Sequence, residues 1–475
     1  MITFLCCLTL LIAAYFTYAR YLERQVAIDS NAATPCQRLY DGVDYVALPR
    51  WRIFLIQLLN IAGTGPVFGA ILGACFGPVA FLWITLGGIF MGAAHDFLSG
   101  VMLVRHDGLS LPEVVGHYLG GGVRHFIRIF SIFLLVLVGS VFILSPAQLL
   151  AGMTPSISLS AWVWVILIYY IIATLLPIDK IIGRIYPIFG VALVVMAIGL
   201  LGALLLGDYT IPELTSLKNY QLDPKQMPII PTLFITIACG AISGFHATQS
   251  PLMARCMSNE RECRSVFYGA MISESIIALI WAAVAMAFFH GAGELAVQLK
   301  AHNGSAAWAV NIISDTMLGR VGGILALLGV VAAPITSGDT AFRAARLIIA
   351  DVLHFEQRTL WKRLLICLPL FAVGYWITTI DFDVVWRYFA WSNQTLSVFT
   401  LWAIAAYLVQ RKANYWVALI PALIMTYICS SFLFVSNQFF GLEDRTTAYL
   451  LGAALTLLLA LIFGKKLINH AKSAL

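Results

Sequence analysis

Thirteen apolar runs divide this chain, at roughly 2–19, 53–76, 78–104, 123–144, 159–177, 184–206, 230–251, 265–289, 321–343, 362–380, 388–410, 414–437 and 446–463. Most are about 20 residues long, the length of an α-helix that spans the hydrocarbon core of a bilayer. Backbone polar groups find no water at that depth, so a chain patterned this way folds as a helix bundle. Charged residues make up 11% of the 475, against about 25% in a soluble domain. That is too few to cover a water-facing surface, which excludes a soluble enzyme, a disordered chain and a nucleic-acid-binding domain. The expected fold is an all-α integral membrane protein with 13 transmembrane helices. The first run has no basic residue before Arg20 and is read as an uncleaved helix rather than a signal peptide.

The net charge of +6 follows from membrane orientation. Alternate gaps between the runs (20–52, 105–128, 178–184, 255–264, 343–363, 411–412 and the tail after 463) hold 23 of the 29 Lys and Arg. Lys218, Lys225, Lys300, Arg320, Arg387 and Arg445 make up the other set. By the positive-inside rule the basic set is cytoplasmic, with the N-terminus outside and the C-terminus inside. No gap is long enough for a large soluble domain. The gap 290–320 contains a weakly apolar stretch that reads as an extracellular helix on the surface.

Two runs contain residues that a plain membrane helix avoids. The run 53–76 carries Asn60-Ile61-Ala62-Gly63-Thr64-Gly65-Pro66, and the run 230–251 carries Ala238-Cys239-Gly240-Ala241-Ile242-Ser243-Gly244-Phe245-His246. Proline lacks the donor and glycine the propensity to continue a helix. A break at membrane depth survives only where it is buried in protein or lines a cavity. The two runs lie five apart, so the second enters from the opposite side. Interrupted helices at matching positions of inverted halves point to a transporter binding site. The plainer alternative is that these glycines only let helices pack closely. The offset of five and Pro66 favour the breaks. The expected repeats are 53–229 and 230–412, preceded by an extra helix and loop (1–52) and followed by two further helices (413–475).

Ionisable groups within the runs each need a reason. His95-Asp96 reads in two ways. Asp96 either closes a salt bridge with Arg105, or shares a proton or a cation with the neighbouring imidazole. His246, beside Ser243, Gly244 and Gln249, is expected to line a cavity. Glu274 lies too deep to reach water and needs a partner, for structure or for coupling. Asp339 and Arg343 are spaced as an intrahelical ion pair. Thr336, Ser337 and Thr340 offer oxygen ligands, and Asn393 and Gln394 either join helices or touch substrate. The nine cysteines show no CxxC pair; six of them, Cys239 included, lie in apolar runs and read as packing residues. HExxH, GxSxG and the P-loop are absent.

The run Asn60–Pro66, the stretch Gly92-Ala93-Ala94-His95-Asp96-Phe97, and Arg105-His106-Asp107-Gly108-Leu109-Ser110-Leu111 resemble the carbon starvation protein A family. So do Phe234 to Gln249, Pro334–Arg346 and Trp391–Gln394. The resemblance covers about residues 45–410. Two departures stand out. The family commonly has Gly-Ala-Gly-Pro where this chain has Gly63-Thr64-Gly65-Pro66, which adds a hydroxyl. Many relatives are much longer, with further C-terminal helices.

The resemblance implies a bacterial inner-membrane secondary transporter, in a family linked to uptake of peptides and pyruvate. It also implies the leucine-transporter fold, with its five-plus-five inverted repeat. On this reading Gly63, Thr64, Gly65, Ser243, Gly244, His246, Gln249, Asn393 and Gln394 hold a carboxylate-bearing substrate. His95, Asp96, His246, Glu274, Thr336, Ser337 and Thr340 serve ion coupling. The coupling ion is H+, with Na+ as the alternative; no cofactor is expected, and a metal at His95 and Asp96 is left open. The partners are a peptide, pyruvate or amino acid and the lipid bilayer, with no nucleic acid, for a chain acting as a monomer. Alternatives are a sodium-coupled amino-acid symporter and a membrane-embedded metal-dependent enzyme.

Overall fold

A computed structural model describes residues 1–42, 45–175, 186–353, 355 and 360–473. Among them there is no strand, and helices satisfy their backbone hydrogen bonds internally, as lipid requires. Nine described helices are long and apolar enough to cross a membrane, or ten if one bent pair counts as a single span. The bent pair is α1 (Arg50–Ile61) and α2 (Gly65–Ala74), which meet at 55°. The elements that build the centre of the bundle are α3 (Val79–Arg105), α4 (Gly121–Met153), α5 (Gly244–Ala254), α6 (Gly269–Phe288), α7 (Ala332–Leu353) and α8 (Phe382–Gln410). α4 and α7 pack along each other through the middle, and α5 lies against α1, α3 and α8.

Both expected breaks are present. Ala62, Gly63 and Thr64 interrupt the first run. In the second, a short helical stretch ends at Thr236 and regular helix resumes only at Gly244. Gly240 sits at φ +91°, where an L side chain is strained, and a Cβ there would meet the Cβ of Ala278 at 2.5 Å.

Other boundaries differ from the hydropathy reading for local reasons. The run 388–410 belongs to a helix that begins at Phe382, because the Asp381 carboxylate accepts from the Asp383 N–H (2.9 Å) and caps it. The gap 290–320 holds the helix Ala292–Ala301 and then Ala306–Ala326, kinked at Gly319 (φ 59°).

The two sets of gaps gather at opposite ends. At the basic end the Arg105 guanidinium donates to Glu260 (2.6 Å), to the Tyr407 hydroxyl (2.6 Å) and to the Ala27 carbonyl (3.1 Å). Arg38 pairs with Asp107, and the Asn414 amide donates to Tyr21 (2.7 Å). At the other end Arg445 donates to the Lys225 carbonyl (3.1 Å), and Tyr388 to that of Gln438 (2.9 Å). The basic gap 178–184 lies outside the described residues, as do 354 and 356–359 within the gap 343–363.

Candidate functional site

Three ionisable side chains from three helices meet in the interior. Asp96 on α3, His246 on α5 and Glu274 on α6 are each fully buried. His246 Nδ1 lies 2.8 Å from Asp96 Oδ2, and His246 Nε2 lies 3.3 Å from Glu274 Oε2. The second contact is an ion-pair distance without hydrogen-bond alignment, and both Glu274 oxygens lack a hydrogen-bond partner. His95 Nδ1 contacts the other Asp96 oxygen at 2.8 Å. A position between the two ends follows from helix rise. Asp96 is nine residues from Arg105 and His246 is nine from Arg255, about 14 Å along a helix. That is close to half of the roughly 30 Å hydrocarbon thickness.

The salt bridge weighed for Asp96 with Arg105 does not form. Arg105 is taken by Glu260, 155 residues away in sequence. His246 is fully buried, with both ring nitrogens facing carboxylates. Asp339 does pair with Arg343 (3.6 Å) and also accepts from Tyr186 (3.1 Å).

Charge balance sets what the cluster does. Two carboxylates around one imidazolium leave a buried net negative charge, which costs several kcal/mol when uncompensated. The cluster is neutral when it binds one further proton. An imidazole held by Asp96 at Nδ1 can pass a proton between Nε2 and the facing Glu274 carboxylate.

The cluster adjoins both breaks. Cys239 lies in the second break, and its thiol, His246 and Glu274 place one ligand-type atom each within 4.8 Å of one another. From sequence alone this residue reads as packing, since an apolar run hides a thiol. Its one sequence signal was its place beside Gly240. Across from it, a Cβ on Gly65 would collide with Cys239 Cβ and Sγ, so the two breaks approach as closely as a glycine allows.

Around the first break, the N–H groups of Gly63, Thr64 and Gly65 meet no acceptor among the described residues, and Pro66 has none to offer. Buried N–H groups are rarely left this way. The Thr64 hydroxyl, buried, lies 3.4 Å from that of Ser145. Just before the break, the Asn60 amide and the Gln57 Oε1 are buried without partners, as is Gln249 Oε1 on α5, whose Nε2 donates to Thr248 (3.0 Å).

The amides of α8 hold helices together. Asn393 Oδ1 accepts from the Ser243 hydroxyl (3.1 Å) and from the Phe245 N–H (2.7 Å), capping α5. Gln394 donates to the Phe234 carbonyl (3.0 Å) ahead of the same break. A Cβ on Gly244 would press on Asn393 and Ser397. On α7, Thr336 and Thr340 bond their own helix (2.7 and 2.9 Å), whereas Ser337 also donates to the Leu59 carbonyl (2.9 Å) beside the first break.

The three side chains are closed off from solvent, and two cavities approach them from the ends without reaching them. A cavity of about 520 Å³ opens among Asp223, Lys300, Asp383, Trp386 and Arg387. It stops at Trp386 and Thr236, both beside Gly69. From the basic end a smaller one, about 110 Å³, reaches Thr248 between α5 and α7. Neither is lined by Asp96, His246 or Glu274.

A helical bundle of this kind, with two interrupted helices meeting at a buried polar centre, has the architecture of a membrane transporter. The chain belongs to the carbon starvation protein CstA family, whose model matches residues 1–161 and 147–319. It is 43% identical over 340 residues to an uncharacterized membrane protein of Haemophilus influenzae, covering 61% of this chain and 91% of that one. It is 25% identical to the Escherichia coli peptide transporter CstA (86% of this chain, 77% of the relative). It is 27% identical to the E. coli pyruvate/proton symporter BtsT, covering 57% of this chain and 46% of the relative. Among solved structures it resembles a mutant of the Eremococcus coleocola manganese transporter (13% identity, TM-score 0.52, 92% of this chain and 99% of that one). It also resembles MhsT in complex with L-phenylalanine (14% identity, TM-score 0.54, 88% and 99%). Both have the leucine-transporter fold, which the likeness extends to this chain.

Proposed function

We propose that this protein imports a small carboxylate-bearing nutrient, pyruvate or a short peptide, across the bacterial inner membrane together with protons. The observation that carries this reading is the buried Asp96–His246–Glu274 cluster abutting both helix breaks. The open N–H groups of Gly63, Thr64 and Gly65 at the start of α2 suit a carboxylate. A proton on the cluster changes the charge beside Cys239, and Cys239 bears on Gly65, so proton and substrate sense each other through one contact. The names of the relatives, a peptide transporter and a pyruvate/proton symporter, support the substrate class.

Alternating access follows from two five-helix repeats, 53–229 and 230–412, moving against each other, within thirteen crossings whose basic end faces the cytoplasm. The enclosed site corresponds to an occluded state. A second reading, sodium coupling, is favoured by one contact, Ser337 against the Leu59 carbonyl.

The test is uptake of labelled pyruvate and a labelled dipeptide into proteoliposomes under an imposed proton gradient and then a sodium gradient. Accumulation above equilibrium with the proton gradient alone is expected. Accumulation with sodium alone would replace the proton reading, and none with either would overturn the substrate class.

A further inference from the structure

Away from the transport site, a groove between the N-terminal helix, α1 and α6 runs along the outside of the bundle. Ile12, Tyr15, Phe16, Trp51, Phe54 and Ile272 make its walls, and it holds about 440 Å³. Phe16 and Trp51 are more than half exposed, so the groove is open to the bilayer. Its floor is kept low at Gly269, where a Cβ would meet the Tyr15 ring at 3.2 Å.

At the basic end the groove runs into a second cavity of about 590 Å³, and Arg50 lines both. Arg20, Arg24, Arg261 and Arg264 complete the charged wall, with Glu23 as its one acidic residue. Glu23 is engaged by Arg264 (2.6 Å), and the Arg264 guanidinium also lies over the Tyr15 ring at 5.5 Å, where groove and cavity join. Five arginines against one glutamate leave a surplus of positive charge at the mouth of an apolar channel. Arginine's planar fork suits phosphate oxygens, and basic pockets between membrane helices take anionic lipid head groups.

We infer that this composite groove is a binding site for one anionic phospholipid, its phosphate among Arg24, Arg50 and Arg261 and an acyl chain along Tyr15, Trp51 and Ile272. A soluble anion would satisfy the arginines but would leave the apolar half bare. A zwitterionic lipid would fill the groove and bring an ammonium group against the arginines. The inference does not rest on the transport reading, because the site lies outside the breaks and binding is measured without transport.

The experiment titrates the detergent-purified full chain with phosphatidylglycerol, and with phosphatidylcholine of the same acyl chains, by native mass spectrometry. Phosphatidylglycerol is expected to bind in one saturable step, tighter than phosphatidylcholine. Arg24→Gln, Arg50→Gln and Arg261→Gln together are expected to weaken it roughly a hundredfold, about fivefold per charge. Ser273→Phe, which fills the groove without altering charge, should weaken it too. Arg411→Gln with Lys412→Gln removes charge from the same end but outside the site and should leave binding unchanged. Equal affinity for both lipids, equal loss in the Arg411/Lys412 control, or no effect of Ser273→Phe would each overturn the assignment. Displacement of the lipid by millimolar inorganic phosphate would reassign the pocket to a soluble anion. A monodisperse elution profile for every variant separates lost binding from misfolding.

Discussion

At the scale of single residues, His246 is hydrogen-bonded to Asp96 through Nδ1 and faces Glu274 at ion-pair distance through Nε2, so its proton inventory is tied to theirs. Glu274→Gln keeps volume and removes the titratable oxygen. Accumulation above equilibrium should vanish while substrate exchange across equilibrated proteoliposomes persists, and the pH dependence of uptake should flatten. Wild-type accumulation by this variant would remove Glu274 from the coupling. Asp96→Ala leaves two buried imidazoles without their acceptor and should cost about 3 kcal/mol, read as a lowered melting temperature of the purified protein; an unchanged melting temperature would deny the pairing.

Polarity inside apolar runs marked Asp96, His246 and Glu274 in the sequence. That they meet one another was not marked, because contacts between residues 150 positions apart leave no local pattern. The same limit hid Glu260 as the partner of Arg105, and it made Cys239 look like packing.

At the scale of elements, the proposed transport cycle rests on two breaks pressed together. Gly65→Ala should abolish transport without preventing membrane insertion, since the new methyl meets Cys239. Adding Cys239→Gly should restore part of the activity, the signature of a direct coupling in a double-mutant cycle. Additive losses would place the damage elsewhere. Asn393→Ala strips the cap from Phe245 and should destabilise by about 1–2 kcal/mol, seen as a lower thermal midpoint.

Both breaks were legible because glycine and proline announce them locally. What they touch was not legible, nor was the start of α8 at Phe382, which depends on a cap outside the apolar run. The kink at Gly319 escaped the hydropathy pattern for a related reason, since a glycine in a weakly apolar stretch leaves it unchanged.

At the scale of the whole molecule, the described basic and non-basic gaps sit at opposite ends and the polar centre lies between them, reached by neither cavity. Charge bias along the chain revealed this division, because it reflects which loops cross the membrane rather than how helices pack. The enclosure itself was not readable, since it depends on Trp386 and Thr236 meeting beside Gly69 across three separate elements. If the site opens alternately to each end, Thr236→Cys should react with a membrane-impermeant thiol reagent added outside, and saturating substrate should change that rate. A rate indifferent to substrate would argue against movement of the outer half.

The central claim is that a proton travels with the substrate by way of the Asp96–His246–Glu274 cluster. It is tested most directly by recording internal pH, with a trapped dye, in proteoliposomes given pyruvate or a dipeptide with no imposed ion gradient. Substrate addition should acidify the lumen of wild-type vesicles, and Glu274→Gln should take up substrate to equilibrium without acidifying it. Uptake without acidification in the wild-type protein, or acidification undiminished in Glu274→Gln, would contradict the claim.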